Sequence, residues 1–530
     1  MTSVREAVFD LLQRHGMTTV FGNPGSTEMP FLNEMPDGFR YILGLQEGAV
    51  VAMADGYAQA TAGPTLVNLH SGPGVGNAMG SIINARANRS PLVITAGTQV
   101  RPMQAMEAWL TNVRATELPQ PAVKWSGVAA RAADTPAVLA RAIHEASLPP
   151  TGPVFVSQPM DDWAADVTPA ESKYLNTRKV VSASGFDQAT AAEVAARIDD
   201  ASAPLLVLGS PLDSEAGWRD SVALAEKAGM AVMLAPVEGR WSFPGWHPNF
   251  RGTLLPAIAA AAAQLAAHDL VVVVGAPVLK YYPYMPGELL PEGTELVQIT
   301  DDQGEASRAP MGDAYIGDPT AAVAGLLAAV SARPSRVPGP PQVPAVAPNS
   351  SPLSPSDAYS TIAAVMPDDV AVVSESPSNL MVMLNHWRPS HPRSFFFSGS
   401  GGLGFGTSAT VGVQLGLPNR PVVGILGDGA FQYSVQGLYT AALYNIPATF
   451  LVLRNSQYAI LKWFGEVEGA PKVPGLDLPD LDAVPIAEGY GVPGRTVSDS
   501  AALADALTEA LGAEGPRLIQ VDIDGSREVM

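Results

Sequence analysis

The chain has 530 residues and a formal net charge of −20, with 15% charged and 47% hydrophobic residues and no cysteine. Length and apolar content support two to four domains with large cores, and the acidity disfavours nucleic acid and anionic membranes as partners. Without cysteine there are no disulfides, thiolate metal sites or cysteine nucleophiles. The N-terminus carries no signal-peptide pattern, and the longest apolar stretch, residues 254–267, is too short to span a bilayer; a cytoplasmic protein is expected.

In chain order, residues 3–15 place Val4, Val8, Leu11 and Leu12 at helical spacing, with Gly16 as the stop. Short apolar runs bounded by turn residues predict strands over 18–21, 41–45, 64–69, 91–96 and 153–157. Residues 22–26, Gly-Asn-Pro-Gly-Ser, form a sharp loop that leaves Ser26 at a strand end. Glu47 opens a helix running to about residue 60, and His70 ends the third strand. The glycine-rich run 71–77 reads as a loop leading into another helix. Ser26, Glu47 and His70 then share one sheet edge in a first domain, 1–164.

Residues 165–183 are polar and irregular and read as a linker. Strands at 203–208, 231–234 and 270–274 build a second unit, 184–333. The Pro- and Ser-rich stretch 334–355 lacks periodicity and reads as an extended linker. A third unit, 356–530, has strands at 370–373, 422–426, 449–453 and 518–521. The fold class is α/β, with three doubly wound parallel-sheet domains.

In the third unit, Gly427-Asp428-Gly429 follows a strand, a helix is expected over 430–444, and Asn455 ends the next strand. Asp428 and Asn455 thus lie at the C-terminal ends of neighbouring parallel strands, where open α/β sheets bind ligands. A carboxylate, an amide oxygen and a peptide carbonyl are hard donors suited to Mg²⁺, which completes its octahedron with phosphate oxygens and water. A Gly-Asp-Gly alone is equally a common turn. Glu47 is either a favourable charge at a helix start or a carboxyl in an apolar site, where burial would raise its pKa. His70 alone reads as structural, and Ser26 alone as a turn residue. The run Gly72-x-Gly74-x-Gly76 lacks the spacing and the downstream acid of a dinucleotide fingerprint.

Taken together, several motifs in order change the balance. Val20-Phe21-Gly22-Asn23-Pro24-Gly25-Ser26, Leu45-Gln46-Glu47, Ala54-Asp55-Gly56-Tyr57-Ala58, Asn68-Leu69-His70 and Gly76-Asn77-Ala78 are the first of them. Gly401-Gly402-Leu403-Gly404-Phe405, Gly427-Asp428-Gly429 and Trp463-Phe464 follow. Over nearly its full length the chain resembles the thiamine-diphosphate-dependent 2-oxo acid decarboxylases, and among them the benzoylformate decarboxylases. The resemblance implies non-oxidative decarboxylation of an aromatic or branched 2-oxo acid to an aldehyde and CO₂, with carboligation as a side activity. The alternative within the cofactor class is a carboligating transferase like acetolactate synthase.

By the same resemblance, Glu47 activates the cofactor by sharing a proton with its pyrimidine nitrogen. Asp428, Asn455 and the main-chain oxygen of Gln457 hold Mg²⁺, or Ca²⁺ in its place. Asn77, Ser378, Gly401, Gly427 and Gly429 contact the cofactor, and Leu403 bends it. Ser26 binds the substrate carboxylate and His70 moves a proton. Pyrimidine and diphosphate sites come from different copies, so the unit is at least a dimer and commonly a tetramer.

Departures from the family pattern fall at the substrate. Tyr282 stands where benzoylformate decarboxylases have a second histidine. A phenol, pKa ~10, is a weaker acid than imidazolium, ~6.5; Tyr282 either donates a hydrogen bond or only packs. Trp109, Leu110, Pro377, Phe397, Ile460, Leu461 and Phe464 are the expected pocket walls, with Trp109 and Ile460 bulkier than usual. Arg454 replaces the first of two adjacent asparagines, and Asn455 keeps the ligand position.

Overall fold

The computed structural model describes residues 2–168, 170, 178, 180–182, 185–334, 337 and 351–525. The first part of the chain forms β1 (Thr2–Ser3), β2 (Thr19–Gly22), β3 (Arg40–Leu43), β4 (Thr65–Leu69), β5 (Leu92–Thr98), β6 (Ser126–Val128), β7 (Val154–Pro159) and β8 (Asp166–Val167). The middle part forms β9 (Pro204–Leu208), β10 (Ala231–Leu234), β11 (Phe250–Thr253), β12 (Leu270–Val274), β13 (Glu295–Thr300) and β14 (Asp313–Ile316). The last part forms β15 (Ala371–Glu375), β16 (Phe395–Phe397), β17 (Val422–Gly427), β18 (Thr449–Arg454), β19 (Gly494–Val497) and β20 (Arg517–Asp522).

Three six-stranded sheets result, ordered β3-β2-β4-β5-β7-β6, β11-β10-β9-β12-β13-β14 and β16-β15-β17-β18-β20-β19, with every pairing parallel. Central strands such as β12, Leu-Val-Val-Val-Val, are buried on both faces because crossover helices cover both sides. The expected fold class, three α/β units with parallel sheets, is what the chain adopts. Strand order reverses between β2 and β4, between β9 and β12, and between β15 and β17. These switch points are where such sheets open a ligand crevice at the strands' C-terminal ends.

The units share cores. One cluster joins the first and third, from Phe21 and Met53 to Val411 and Phe431. Another joins the middle and third, from Leu206 and Trp241 to Val372 and Ile519. The helix Glu47–Thr61 crosses Gly406–Gly416 at backbone distance: a Cβ on Gly412 would run into the Met53 carbonyl, and one on Gly56 would sit 3.0 Å from Ala409 Cα.

Three local expectations are corrected. The run 71–77 is no loop: the helix Ser71–Ala87 starts directly after β4. Its first-turn glycine lets Glu47 lie close, since a Cβ on Gly74 would sit 3.2 Å from Glu47 Cγ. The helix expected over 430–444 is two, Asp428–Phe431 and Gly437–Leu443. Between them the Ser434 carbonyl accepts from Ser408 Oγ at 3.2 Å, and a Cβ on Gly437 would press on that hydroxyl. The first residues of 165–183 are ordered, since β8 pairs antiparallel with β1. The remainder of that predicted linker, at 169, 171–177, 179 and 183, and 335–336 and 338–350 of the second, lie outside the described residues.

Candidate active site

Sequence position delivers Ser26, Glu47 and His70 to the C-terminal edge of the first sheet, and the crossovers bring them together. The loop after β2 carries Asn23 and Ser26, β3 leads to Glu47, and β4 ends at His70. Glu47 is buried, and its two oxygens accept from Asn23 Nδ2 at 3.2 Å and Asn77 Nδ2 at 3.1 Å. Among the described residues no cation pairs with it. The two amide donors fix the orientation of the carboxyl group.

The His70 ring lies against the Gly25 backbone, where a Cβ would overlap its Nδ1, so the exposed Ser26 sits beside it. Nδ1 is 2.8 Å from Glu28 Oε2. Glu28 is itself 1% exposed and accepts from Thr27 Oγ1 at 2.7 Å and Gly97 N at 2.7 Å. Accepting the Nδ1 proton fixes the tautomer and leaves Nε2 for chemistry. Sequence reasoning missed Glu28 and Asn23. Their one signal was two polar side chains in a loop between apolar segments.

In the third unit, β15 and β17 flank the switch point, and β18 lies beside β17 with Gly427 opposite Leu453. Asp428 Oδ1 accepts from Gly429 N at 2.8 Å and Oδ2 from Ser456 N at 2.7 Å. Burial pushes this carboxyl up from its ordinary value, against those backbone donors. Asn455 Oδ1 accepts from Gln457 N at 3.2 Å, which fixes the amide. Ser378 Oγ accepts from Ile460 N at 3.0 Å and so joins Pro377–Ser378 to the helix Ala459–Val467.

Leu403 stands on a loop tied down from two sides. Glu375, which sequence reasoning also missed, is buried and accepts from the N–H groups of Gly404, Phe405 and Gly406, each at 2.9 Å. Burial raises its carboxyl to about 7 despite those three donors. From the first unit, Asn84 Nδ2 donates to the Gly402 carbonyl at 3.0 Å, and Asn88 Oδ1 accepts from Gly399 N at 2.9 Å. Gly401 has φ +75 and ends the loop's turn.

Tyr282 meets one of the expected walls, Phe464, with ring centroids 4.8 Å apart. Phe397 packs on the core shared by the middle and third units. Trp109, in the first unit, is 88% exposed.

This arrangement is matched by known proteins. The chain matches the thiamine pyrophosphate enzyme N-terminal TPP binding domain over residues 2–118, the central domain over 191–326 and the C-terminal TPP binding domain over 378–521. It is 48% identical to the benzoylformate decarboxylase of Pseudomonas aeruginosa, covering 98% of this chain and 99% of that one.

The chain belongs to the thiamine pyrophosphate enzyme family.

Among solved structures, the thiamine diphosphate-dependent 4-hydroxybenzoylformate decarboxylase of Rhodococcus jostii RHA1 superposes with TM-score 0.97 at 43% identity, covering 99% of this chain and 100% of that one. The benzoylformate decarboxylase of Polynucleobacter necessarius gives 0.96 at 40%, covering all of both. Acetolactate synthases are more distant: isozyme 3 large subunit of Escherichia coli is 26% identical, over 100% of this chain and 96% of that one.

The residues present fit the family's cofactor. A buried carboxyl, Glu47, stands at the edge of the first sheet. At the switch point of the third sheet stand a buried carboxyl held by two backbone N–H groups, an oriented amide oxygen and a glycine-rich turn, a donor set for a hard cation and phosphate. No three His, Cys, Asp or Glu side chains cluster among the described residues. No helix among them is long and apolar enough to cross a membrane.

Proposed function

We propose that this thiamine pyrophosphate enzyme removes CO₂ from an aromatic or branched 2-oxo acid of the benzoylformate type and releases the aldehyde. The observation that carries the reading is Glu47: a buried carboxyl, held by two asparagine amides, on the same sheet edge as His70.

Asp428, Asn455 and the main-chain oxygen of Gln457 would hold Mg²⁺. Ser378, Gly401, Gly427 and Gly429 would seat the diphosphate, with Asn77 and Glu47 at the pyrimidine and Leu403 beneath its bend. Bound thiamine diphosphate supplies a carbon nucleophile and a cationic electron sink for the carbon that loses CO₂. Glu47 gives and takes a proton at the pyrimidine nitrogen. Ser26 hydrogen-bonds the substrate carboxylate. His70, oriented by Glu28, gives and takes a proton at the substrate's ketone oxygen. Tyr282 presents a phenol O–H to the same space. Pro377, Phe397, Ile460, Leu461 and Phe464 exclude water, which favours charge neutralisation as CO₂ leaves; Trp109 and Leu110 close the pocket from another copy.

The working unit is at least a dimer and, in this reading, a tetramer. Spacing along one helix supports this. Asn77 holds Glu47, whereas Asn84, which holds the Gly402 loop, lies seven residues or about 10 Å further along. The anchors of Glu47 and of the Leu403 loop are offset along this helix, and in this reading a second copy completes the site. Exposed apolar side chains, Met29, Met106, Trp109, Tyr433 and Leu443, offer a surface for that contact.

The test is an assay with thiamine diphosphate and Mg²⁺ on benzoylformate and on pyruvate. CO₂ and benzaldehyde from benzoylformate are expected. Acetolactate from pyruvate with no CO₂ from benzoylformate would replace this reading with the synthase one.

A further inference from the structure

The middle sheet, β11-β10-β9-β12-β13-β14, has the strand order of dinucleotide-binding folds, whose ligand crevice lies between the strands here called β9 and β12. In this chain that crevice is filled by the chain itself. Gly209 N, after β9, donates to the Val274 carbonyl at 2.9 Å, and a Cβ on Gly209 would run into the Gly275 carbonyl. The Ser210 N–H, an anion donor at the switch point, is taken by Glu238 Oε2 at 2.7 Å. Lys280 Nζ pairs with Glu238 Oε1 at 3.0 Å and also reaches the Val237 carbonyl at 3.3 Å. Arg240 Nη2 donates to the Ser210 carbonyl at 3.1 Å. Burial opposes ionisation of Glu238, but Lys280 and Ser210 outweigh it and hold the carboxyl below its ordinary value.

Each end of this ion pair leads to a wall of the proposed pocket. Gly239, next to Glu238, accepts from Phe397 N at 2.8 Å, and Arg240 bridges Phe396. Lys280 lies two residues before Tyr282, whose ring packs on Phe464. Tyr282 is 64% exposed and Tyr284 77%, so the two rings stand out from a loop otherwise anchored by buried Pro283 and by the Tyr282 N–H on the Pro256 carbonyl.

We infer that the Glu238–Lys280 pair is a positioning strut: it occupies the crevice in place of a nucleotide and holds Tyr282 against Phe464 at a fixed distance from Phe397, setting the width of an aryl slot. This rests on the reading of those three rings as substrate walls. An ion pair buried at one end suits the task because it is directional and its loss leaves the buried Glu238 without its counter-charge.

The experiment compares Lys280→Met, Lys280→Arg and the double variant Glu238→Gln/Lys280→Met, each with Tyr282 intact and as Tyr282→Ala. Lys280→Met is expected to raise KM for benzoylformate about tenfold with kcat within about twofold, and Lys280→Arg to restore it. The charge-free double variant gives the same KM rise without a buried lone carboxylate, should Lys280→Met fold poorly. In the Tyr282→Ala background the Lys280 substitution adds nothing, because it acts through that ring. An equal KM cost with and without the ring, or no cost, overturns the strut. Hydrogen exchange of residues 276–284 gives a readout independent of catalysis. Faster exchange in the charge-free variant is expected, and unchanged exchange overturns the inference. If the wild type releases no CO₂ from aryl 2-oxo acids while exchange responds, the substrate reading has failed and the strut has not.

Discussion

His70 Nδ1 lies 2.8 Å from Glu28 Oε2, and the carboxylate is buried under four further donors, the N–H groups of Gly25, Ser71 and Gly97 and the Thr27 hydroxyl. An ionised Glu28 favours the imidazole tautomer with its proton on Nδ1, which leaves Nε2 as the acceptor. Glu28→Ala should lower kcat by about tenfold to a hundredfold, short of the ~10²–10⁴ expected for His70→Ala. Because Glu28 acts through His70, the double variant should be no slower than His70→Ala. Steady-state kinetics on the four proteins decide it; full additivity would make Glu28 purely structural.

Glu47→Gln keeps the shape that Asn23 and Asn77 hold but removes the exchangeable proton. It should cut kcat by about 10²-fold or more while thiamine diphosphate still binds. Isothermal titration with the cofactor and turnover of benzoylformate separate the two properties. A variant at full speed would remove Glu47 from the mechanism.

Chelation with EDTA followed by dialysis should abolish cofactor binding, and Mg²⁺ should restore it. At a hundred times Kd, bound cofactor stabilises the fold by about 2.7 kcal/mol, visible as a rise in Tm. Asp428→Ala should show no such rise with or without Mg²⁺, since the carboxylate on the Gly427–Gly429 turn is gone. A normal shift in that variant would relocate the metal.

Glu375 gives a pH signature. A carboxyl raised on folding binds its proton more tightly in the folded chain, so its stabilisation is full below the unfolded pKa, about 4.3, and is lost as pH rises through the folded one. For Glu375 that upper limit is about 7. Asp55 and Asp213, raised to about 6 by burial, lose theirs earlier. Between about pH 4.5 and about pH 7, Tm of the apo protein should fall, and Glu375→Gln should flatten that fall while lowering Tm at the acid end. Thermal scans across this range check it; an unaltered slope would assign the pH dependence elsewhere.

Tyr282→His replaces a phenol with a stronger acid at neutral pH in contact with Phe464. Aldehyde release from benzoylformate should rise by up to about tenfold, and any carboligation product should fall in proportion. Product analysis by chromatography reads both. A lower rate of aldehyde release would mean that the phenol is already well matched to its role.

The sequence by itself determined what neighbouring residues encode. Apolar runs between turn residues marked the strands, and the resemblance of the motifs pointed to Glu47, His70, Asp428 and Asn455, because strand ends and turns depend on local chemistry. The glycine run 71–77 and the helix break at 432–436 escaped that logic, since close approach of Glu47 and of Ser408 outweighed local propensity. Only the tertiary structure decided which side chains meet. Glu28 and His70 are separated by 42 residues and two crossovers, Glu375 reaches Gly404–Gly406 across a sheet switch point, and Glu238 meets Lys280 from another strand. Such pairs carry no periodicity and no turn signal. They exist because parallel strands, buried on both faces, force their connections to the same edge of the sheet.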